Sequence, residues 1–163
     1  MSLSAPEPLG DHHDLSGFDS GQASLDDWLR RRARANHASG ASRAFVVCDG
    51  NRVVAFYALA SSSIASNETS GRFRRNMPEP IPVIVLGRLA VDKGWQRRGL
   101  GRAMVGDAAK RVIAVAAEIG IRGMIVHAID EQAKRFYLDL GFEQSPIHEM
   151  TLMASIGDLG ENL

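Results

Sequence analysis

The most constraining feature of this chain is a strand that turns through glycines and basic residues into a long helix. Val83-Ile-Val-Leu-Gly-Arg-Leu-Ala-Val91 is a β-type run, and Asp-Lys-Gly-Trp-Gln96-Arg-Arg-Gly99-Leu-Gly101 follows it. A helical pattern then continues from Gly99 to Ile119, with Met104, Ala108, Val112, Val115 and Ile119 on its apolar face. A helix start leaves backbone N–H groups without partners and points the positive end of its dipole outward, so such a turn suits phosphate. Two familiar phosphate patterns fail on residues with defined jobs. Gly94 and Gly99 match the first half of a Walker A loop, but Leu100 stands where its lysine is needed. Gly99-x-Gly101 opens a dinucleotide fingerprint, but Met104 occupies the position that needs a small residue for close packing.

Around this segment the elements read in a definite order. Ser24-Leu-Asp-Asp27 has the form of a capping box, and a helix is predicted from there through about Ala38, stopping at Gly40. Ala44–Cys48 and Val53–Ala60 are predicted strands joined by the hairpin signal Asp49-Gly50-Asn51. Residues 61–82 read as a polar loop. After the long helix come a buried strand Gly123–Ala128, a short helix Glu131–Leu140 and a late strand Glu149–Ala154. The expectation is one α/β domain over residues 1–163, a mixed central β-sheet flanked by α-helices, with a polar and mobile leader over 1–20.

Composition bounds the function. The 163 residues carry 19 basic and 19 acidic side chains, which excludes a uniformly basic protein. The neutrality is nevertheless an average. Residues 1–29 hold six acids and no base, 30–111 hold sixteen bases against five acids, and 112–163 hold three bases against eight acids. Most of the bases are arginines, whose forked guanidinium grips phosphate in a way lysine cannot. The single cysteine, Cys48, lies in an apolar run and reads as core; it excludes an internal disulfide and fits a reducing compartment. No apolar stretch reaches membrane-spanning length, the start lacks the form of a signal peptide, and the five histidines lack metal-ligand spacing, so no metal is expected.

Gln96-x-x-Gly99-x-Gly101 resembles the acetyl-CoA pyrophosphate loop of the GCN5-related N-acetyltransferases, the GNAT family. Downstream, Ala133-Lys-Arg-Phe-Tyr137-Leu-Asp-Leu-Gly141-Phe142 is similar to that family's late helix and its Gly-Phe ending. Gly40-Ala-Ser-Arg-Ala-Phe45, Gly71-Arg-Phe-Arg-Arg-Asn-Met-Pro-Glu-Pro80 and Val85-Leu-Gly-Arg-Leu-Ala-Val-Asp92 resemble one branch, the TacT-like acetyltransferase toxins of type II toxin–antitoxin pairs. The resemblance covers nearly the whole chain.

It implies a GNAT fold and a cytoplasmic enzyme that moves acetyl from acetyl-CoA to the α-amine of aminoacyl-tRNA, blocking translation. It also implies a ribbon-helix-helix antitoxin and a homodimer, with acetyl-CoA as co-substrate and no metal. Carried over residue by residue, Leu89, Ala90 and Val91 would pair with the pantetheine arm. Gln96, Arg97, Arg98, Gly99, Leu100, Gly101 and Arg102 would hold the pyrophosphate, mainly by main chain. Tyr137 would protonate the departing thiolate, and a phenol with a pKa of about 10 carries its proton at neutral pH. No Glu or Asp lies in Val83–Val91 to serve as general base, a departure from many members. An α-amine near 7.7–8.0 needs such help less than a lysine near 10.4, so this absence leans toward an α-amine acceptor. Arg72, Arg74 and Arg75, with Arg88, read as mostly unpaired cations for a tRNA acceptor stem. For Arg30, Arg31, Arg32 and Arg34 a solvated helix face and an RNA contact both stay open. Two other readings remain: acetylation of a small-molecule amine or protein N-terminus, and a non-catalytic CoA-binding partner protein.

Overall fold

Alternating apolar residues and a tight glycine turn build the first hairpin. In the computed structural model, which describes residues 2–163, β2 (Arg43–Asp49) and β3 (Arg52–Ile64) pair antiparallel from Arg43↔Leu59 to Asp49↔Arg52. Only Gly50 and Asn51 lie between them, and Gly50 takes φ 65°, the left-handed conformation that a two-residue hairpin loop requires. A leading strand β1 (Glu7–Pro8), β4 (Ile81–Val91), β5 (Gly123–His127), β6 (Glu143–Gln144) and β7 (Thr151–Ser155) complete a mixed sheet in the order β1-β2-β3-β4-β5-β7-β6. The helices are α1 (Ala23–Arg31), α2 (Ala33–Ser39), α3 (Gly71–Arg74), α4 (Leu100–Ala116), α5 (Glu131–Asp139) and α6 (Ile156–Asn162). The chain divides into two compact units, residues 1–60 with 87–107, and 61–86 with 108–163.

In the first unit the expected mobile leader is instead part of the core. Leu9, Leu15 and Phe18 are buried with Leu29, Val46 and Phe56. Leader backbone groups join the sheet, with Leu9 N–H donating to Ala44 O at 3.0 Å and Asp14 N–H to Asn51 O at 2.7 Å. Arg30 donates to Phe18 O at 2.7 Å and Arg34 to His13 O, so two of the helix arginines hold the leader down. Three scattered apolar side chains and a row of backbone bonds outweigh the polar composition from which mobility was inferred.

The single helix expected from the Ser24–Asp27 capping box is also corrected. It is two helices broken at Arg32, whose φ is −121°, and it starts after Gln22 without a side-chain cap. The working carboxylate is the buried Asp26, which reaches back to Ser20, accepting its N–H at 3.1 Å and its hydroxyl at 2.6 Å. The stop at Gly40 stands, with φ 83°.

The second unit packs Ile64, Phe73, Ile81, Val83, Ile125 and Met153 into one cluster. β4 runs parallel to β5 over Ile84–Leu86 with Met124–Val126, and β5 pairs antiparallel with β7 from Gly123↔Ser155 to His127↔Thr151. At Gly123 an added Cβ would lie 2.1 Å from Ala154 O, so no larger residue fits that crossing. The segment expected to be a loop, 61–82, extends β3 to Ile64 and adds a 3-10 turn at Ser66–Glu68 and the short α3. Ser70 caps α3 by accepting Phe73 N–H at 3.1 Å. A final helix that the sequence reading lacked, α6, begins with a full capping box between Ser155 and Asp158. The long helix ends at Ala116 rather than Ile119, and Val115 and Ile119 are 37% and 58% exposed, so its apolar stripe is buried only through Val112.

Candidate active site

The strand–turn–helix segment is braced before it is aimed. Asp92, at the end of β4, accepts Gly94 N–H and Asp19 N–H, both at 3.0 Å, and its own N–H donates to Val54 O at 2.8 Å. Arg52 lies 3.7 Å from the same carboxylate. A 3-10 turn over Lys93–Trp95 follows, and the side-chain amide of Gln96 donates to Val91 O at 2.8 Å and Ser20 O at 2.9 Å. Both donors of Gln96 are thus spent on the loop itself, leaving its main chain for a ligand.

Beyond this brace the backbone turns sharply. Arg97 at φ 64° and Gly99 at φ 79° are left-handed, a combination that lets neighbouring amides converge on an anion. For Arg97 this conformation is costly, as for any side-chain-bearing residue. The first intrahelical bond of α4 runs from Ala103 N–H to Gly99 O at 3.1 Å. The amides of Gly99, Leu100, Gly101 and Arg102 therefore have no acceptor within the helix, and they sit at its positive end. The side chains of Arg97, Arg98 and Arg102 are exposed, with Arg98 4.8 Å from the Trp95 ring centroid. Main-chain amides rimmed by cations in this way make an arrangement that can hold an anion. Just upstream, the β4–β5 ladder ends at Leu86↔Val126. In the five residues of β4 beyond it, Ala90 is buried in the core of the first unit while Leu89 and Val91 alternate to the other face.

The second unit holds the remaining expected residues. Tyr137 on α5 is 7% exposed, its ring edge-on to Phe136 at 5.0 Å and Phe142 at 5.4 Å. Burial pushes its phenol well above the ordinary tyrosine value, so it stays protonated at neutral pH. Asp130 caps α5, accepting Ala133 N–H at 2.8 Å, and Gly141 at φ 97° turns the chain after it.

The basic residues divide into those already engaged and those that are not. Arg72 is no unpaired cation: it donates to both oxygens of Asp158 at 3.0 and 2.8 Å and to Glu143 at 2.9 Å. These partners raise its pKa further and hold the Asp158 carboxyl below its usual range. Arg74 donates to Thr69 O. Arg75 is exposed, and among the described residues it makes no ion pair. Arg122, absent from the sequence reading, donates to Phe73 O at 2.7 Å and Arg72 O at 2.9 Å and lies over the Phe73 ring. Arg88, in the first unit, is half-buried over the Trp28 ring.

The histidines differ from expectation in placement. Glu7, His12 and His13 come within 4.8 Å of one another, and His13 is 4% exposed rather than in a mobile tail. Gly10 N–H donates to its Nδ1 at 2.9 Å, and its Nε2–H donates to Glu7 at 2.8 Å, so hydrogen bonding alone accounts for the ring.

With this geometry in view, the acetyltransferase (GNAT) domain family matches residues 40–144. The chain belongs to the GNAT acetyltransferase family. It is 51% identical over 95% of its length, and 98% of the other protein, to the tRNA-acetylating toxin of Mycobacterium tuberculosis. Among solved structures, AtaT complexed with acetyl-methionyl-tRNAfMet matches at TM-score 0.90 and 29% identity, covering 98% of each chain. An AtaT variant bound to acetyl-CoA and the C-terminus of the antitoxin AtaR matches at TM-score 0.83 and 28% identity, covering 98% of this chain and 96% of that one. Within this GNAT sequence, the motifs at 96–101 and 133–142 both fall inside the matched residues. The signals it offered for the residues missed were faint: Ser155-x-x-Asp158 is a capping-box form, whereas nothing local marks Trp28 or Arg122.

Proposed function

We propose that this chain transfers acetyl from acetyl-CoA to the α-amino group of aminoacyl-tRNA and so acts as the toxin of a toxin–antitoxin pair. The observation that carries the acetyl-CoA half is the set of four helix-start amides, Gly99 to Arg102, set behind the left-handed Arg97 and Gly99. The resemblance to a tRNA-acetylating toxin at 51% identity, and to AtaT with acetyl-methionyl-tRNA, supports the acceptor.

In the reaction the neutral amine attacks the thioester carbonyl, a C–N bond forms, and the C–S bond breaks. The amine's second proton leaves to solvent, the sulfur takes a proton from Tyr137, which its burial keeps protonated before the reaction, and Tyr137 regains a proton from solvent, so the count closes. Leu89, Ala90 and Val91 pair with the pantetheine arm, while Gln96, Arg97, Arg98, Gly99, Leu100, Gly101 and Arg102 hold the pyrophosphate. Arg75 and Arg88 are the cations best placed by their lack of carboxylate partners to meet tRNA. Arg72 and Arg74 contribute through backbone order and local potential, because their guanidinium groups are engaged.

Residues 1–163 serve as one acetyltransferase domain, the leader included, working in the cytoplasm as a homodimer held in check by a ribbon-helix-helix antitoxin. Among the described residues no helix is long and apolar enough to cross a membrane. The deciding experiment incubates the protein with labelled acetyl-CoA and total charged tRNA, then identifies which aminoacyl species carries label. Label on free amines or peptides, with none on charged tRNA, overturns the acceptor assignment.

A further inference from the structure

The stretch of β4 beyond its β5 ladder carries one charged side chain, Arg88, which like the exposed Arg98 on Trp95 rests on an indole ring but is itself half-buried. Arg30, Arg34, Arg43, Arg74 and Arg122 donate to backbone carbonyls, and Arg72 to carboxylates. The Arg88 guanidinium carbon instead lies 4.7 Å from the centroid of the Trp28 ring, with no carboxylate partner among the described residues. Trp28 stacks in turn on Phe56, ring centroids 6.0 Å apart and planes 14° from parallel, and Phe56 is fully buried. The three side chains form a stack from core to surface within the first unit.

An ion pair neutralises an arginine and occupies its N–H edge. An aromatic face does neither: it orients the guanidinium plane and leaves charge and donors available. The outward face of a guanidinium so held suits a flat π-system, and unstacked bases of single-stranded RNA commonly seat on such planes. Position narrows this to one part of tRNA. Arg88 directly precedes Leu89, and one strand residue spans about 3.3 Å. The nucleotide nearest an acceptor amine delivered to that strand is the unpaired 3′ end that carries the aminoacyl group.

We propose that Trp28 is a positioning residue that holds Arg88 as a flat cationic platform for a base of the single-stranded 3′ end of the tRNA substrate. This rests on the reading of the chain as an aminoacyl-tRNA acetyltransferase.

The test measures initial rates on a charged tRNA that the wild type acetylates. Arg88→Lys keeps the charge and loses the plane; Trp28→Leu removes the ring and Trp28→Phe keeps an aromatic face. Arg88→Lys and Trp28→Leu should each raise KM for charged tRNA about tenfold, the size of one lost base stack. Both should leave kcat and the KM for acetyl-CoA within about twofold, and Trp28→Phe should stay within about threefold of wild type. The double variant should be no worse than Arg88→Lys alone.

A wild-type KM in Arg88→Lys overturns the platform, and that variant decides alone should Trp28→Leu not fold. Multiplicative losses in the double variant overturn the role of Trp28, as does a Trp28→Leu loss shared equally by tRNA and acetyl-CoA. If the wild type acetylates no charged tRNA, the proposed function fails. If it does so and these variants change nothing, the platform alone fails.

Discussion

Replacing Asp158 tests how the second unit is held together. One carboxylate does two jobs there: it receives both arms of Arg72 at 3.0 and 2.8 Å, and it closes the α6 capping box by accepting Ser155 N–H at 3.3 Å. The Arg72 side chain is 53% exposed against 14% for Asp158, so solvent screens the pair, and it is worth about 1 kcal/mol despite its bidentate geometry. The cap contributes about another 1 kcal/mol. Asp158→Ala should therefore cost about 2 kcal/mol, or a Tm drop of roughly 4–8 °C for a chain of this size. Asp158→Asn keeps an acceptor for the cap and should cost about half as much. Urea unfolding at constant m reads the difference directly. The pH dependence has a fixed sign. The Arg72 hydrogen bonds hold the folded carboxyl below its usual range, so the stabilisation is present above the unfolded value of about 3.9 and is lost as pH falls through the lower folded value. The gap between wild type and Asp158→Ala should be flat from about pH 6 to 8 and narrow below about pH 4. A loss under about 0.5 kcal/mol, or a gap that does not narrow in acid, refutes the reasoning.

Other perturbations test the site. Tyr137→Phe should cut kcat about a hundredfold or more while acetyl-CoA binding and melting temperature hold, since the ring contacts with Phe136 and Phe142 remain; an unchanged kcat removes Tyr137 from the chemistry. Gly99→Ala adds a Cβ that meets nothing within 4 Å, so its cost is the left-handed backbone alone, about 1–2 kcal/mol. Calorimetry should show acetyl-CoA binding about tenfold weaker, and unchanged affinity refutes the loop assignment. Burial pushes the Cys48 thiol up to about 11. Iodoacetamide at pH 8 should then modify the native protein about a hundredfold more slowly than the urea-unfolded chain, and equal rates would place the thiol outside the core.

Much of the fold is local enough to read from sequence. The Gly50-Asn51 hairpin, the Gly40 stop and the strand–turn–helix of β4 and α4 each depend on residues within a few positions of one another. The errors share a cause in long-range packing. Apolar residues spaced too irregularly to show a period, Leu9, Leu15 and Phe18, fix the leader because β2 and β3 present a surface to them. The Val115–Ile119 end of the helical stripe has the right period, but burial stops at Val112.

The sequence by itself determined a strand that turns through glycines into a helix, because glycine positions, a preceding strand and a following helix are short-range properties, and its motifs carried the resemblance to the acetyltransferase family. It also located a surplus of positive charge between residues 30 and 111. Only the tertiary structure decided which of those charges are free to act. Arg72 finds Asp158 across 86 residues, Arg34 finds His13 across 21, and Arg88 finds an aromatic face instead of an acid. Charge is a property of a residue, but whether it is neutralised depends on partners that only folding brings within reach.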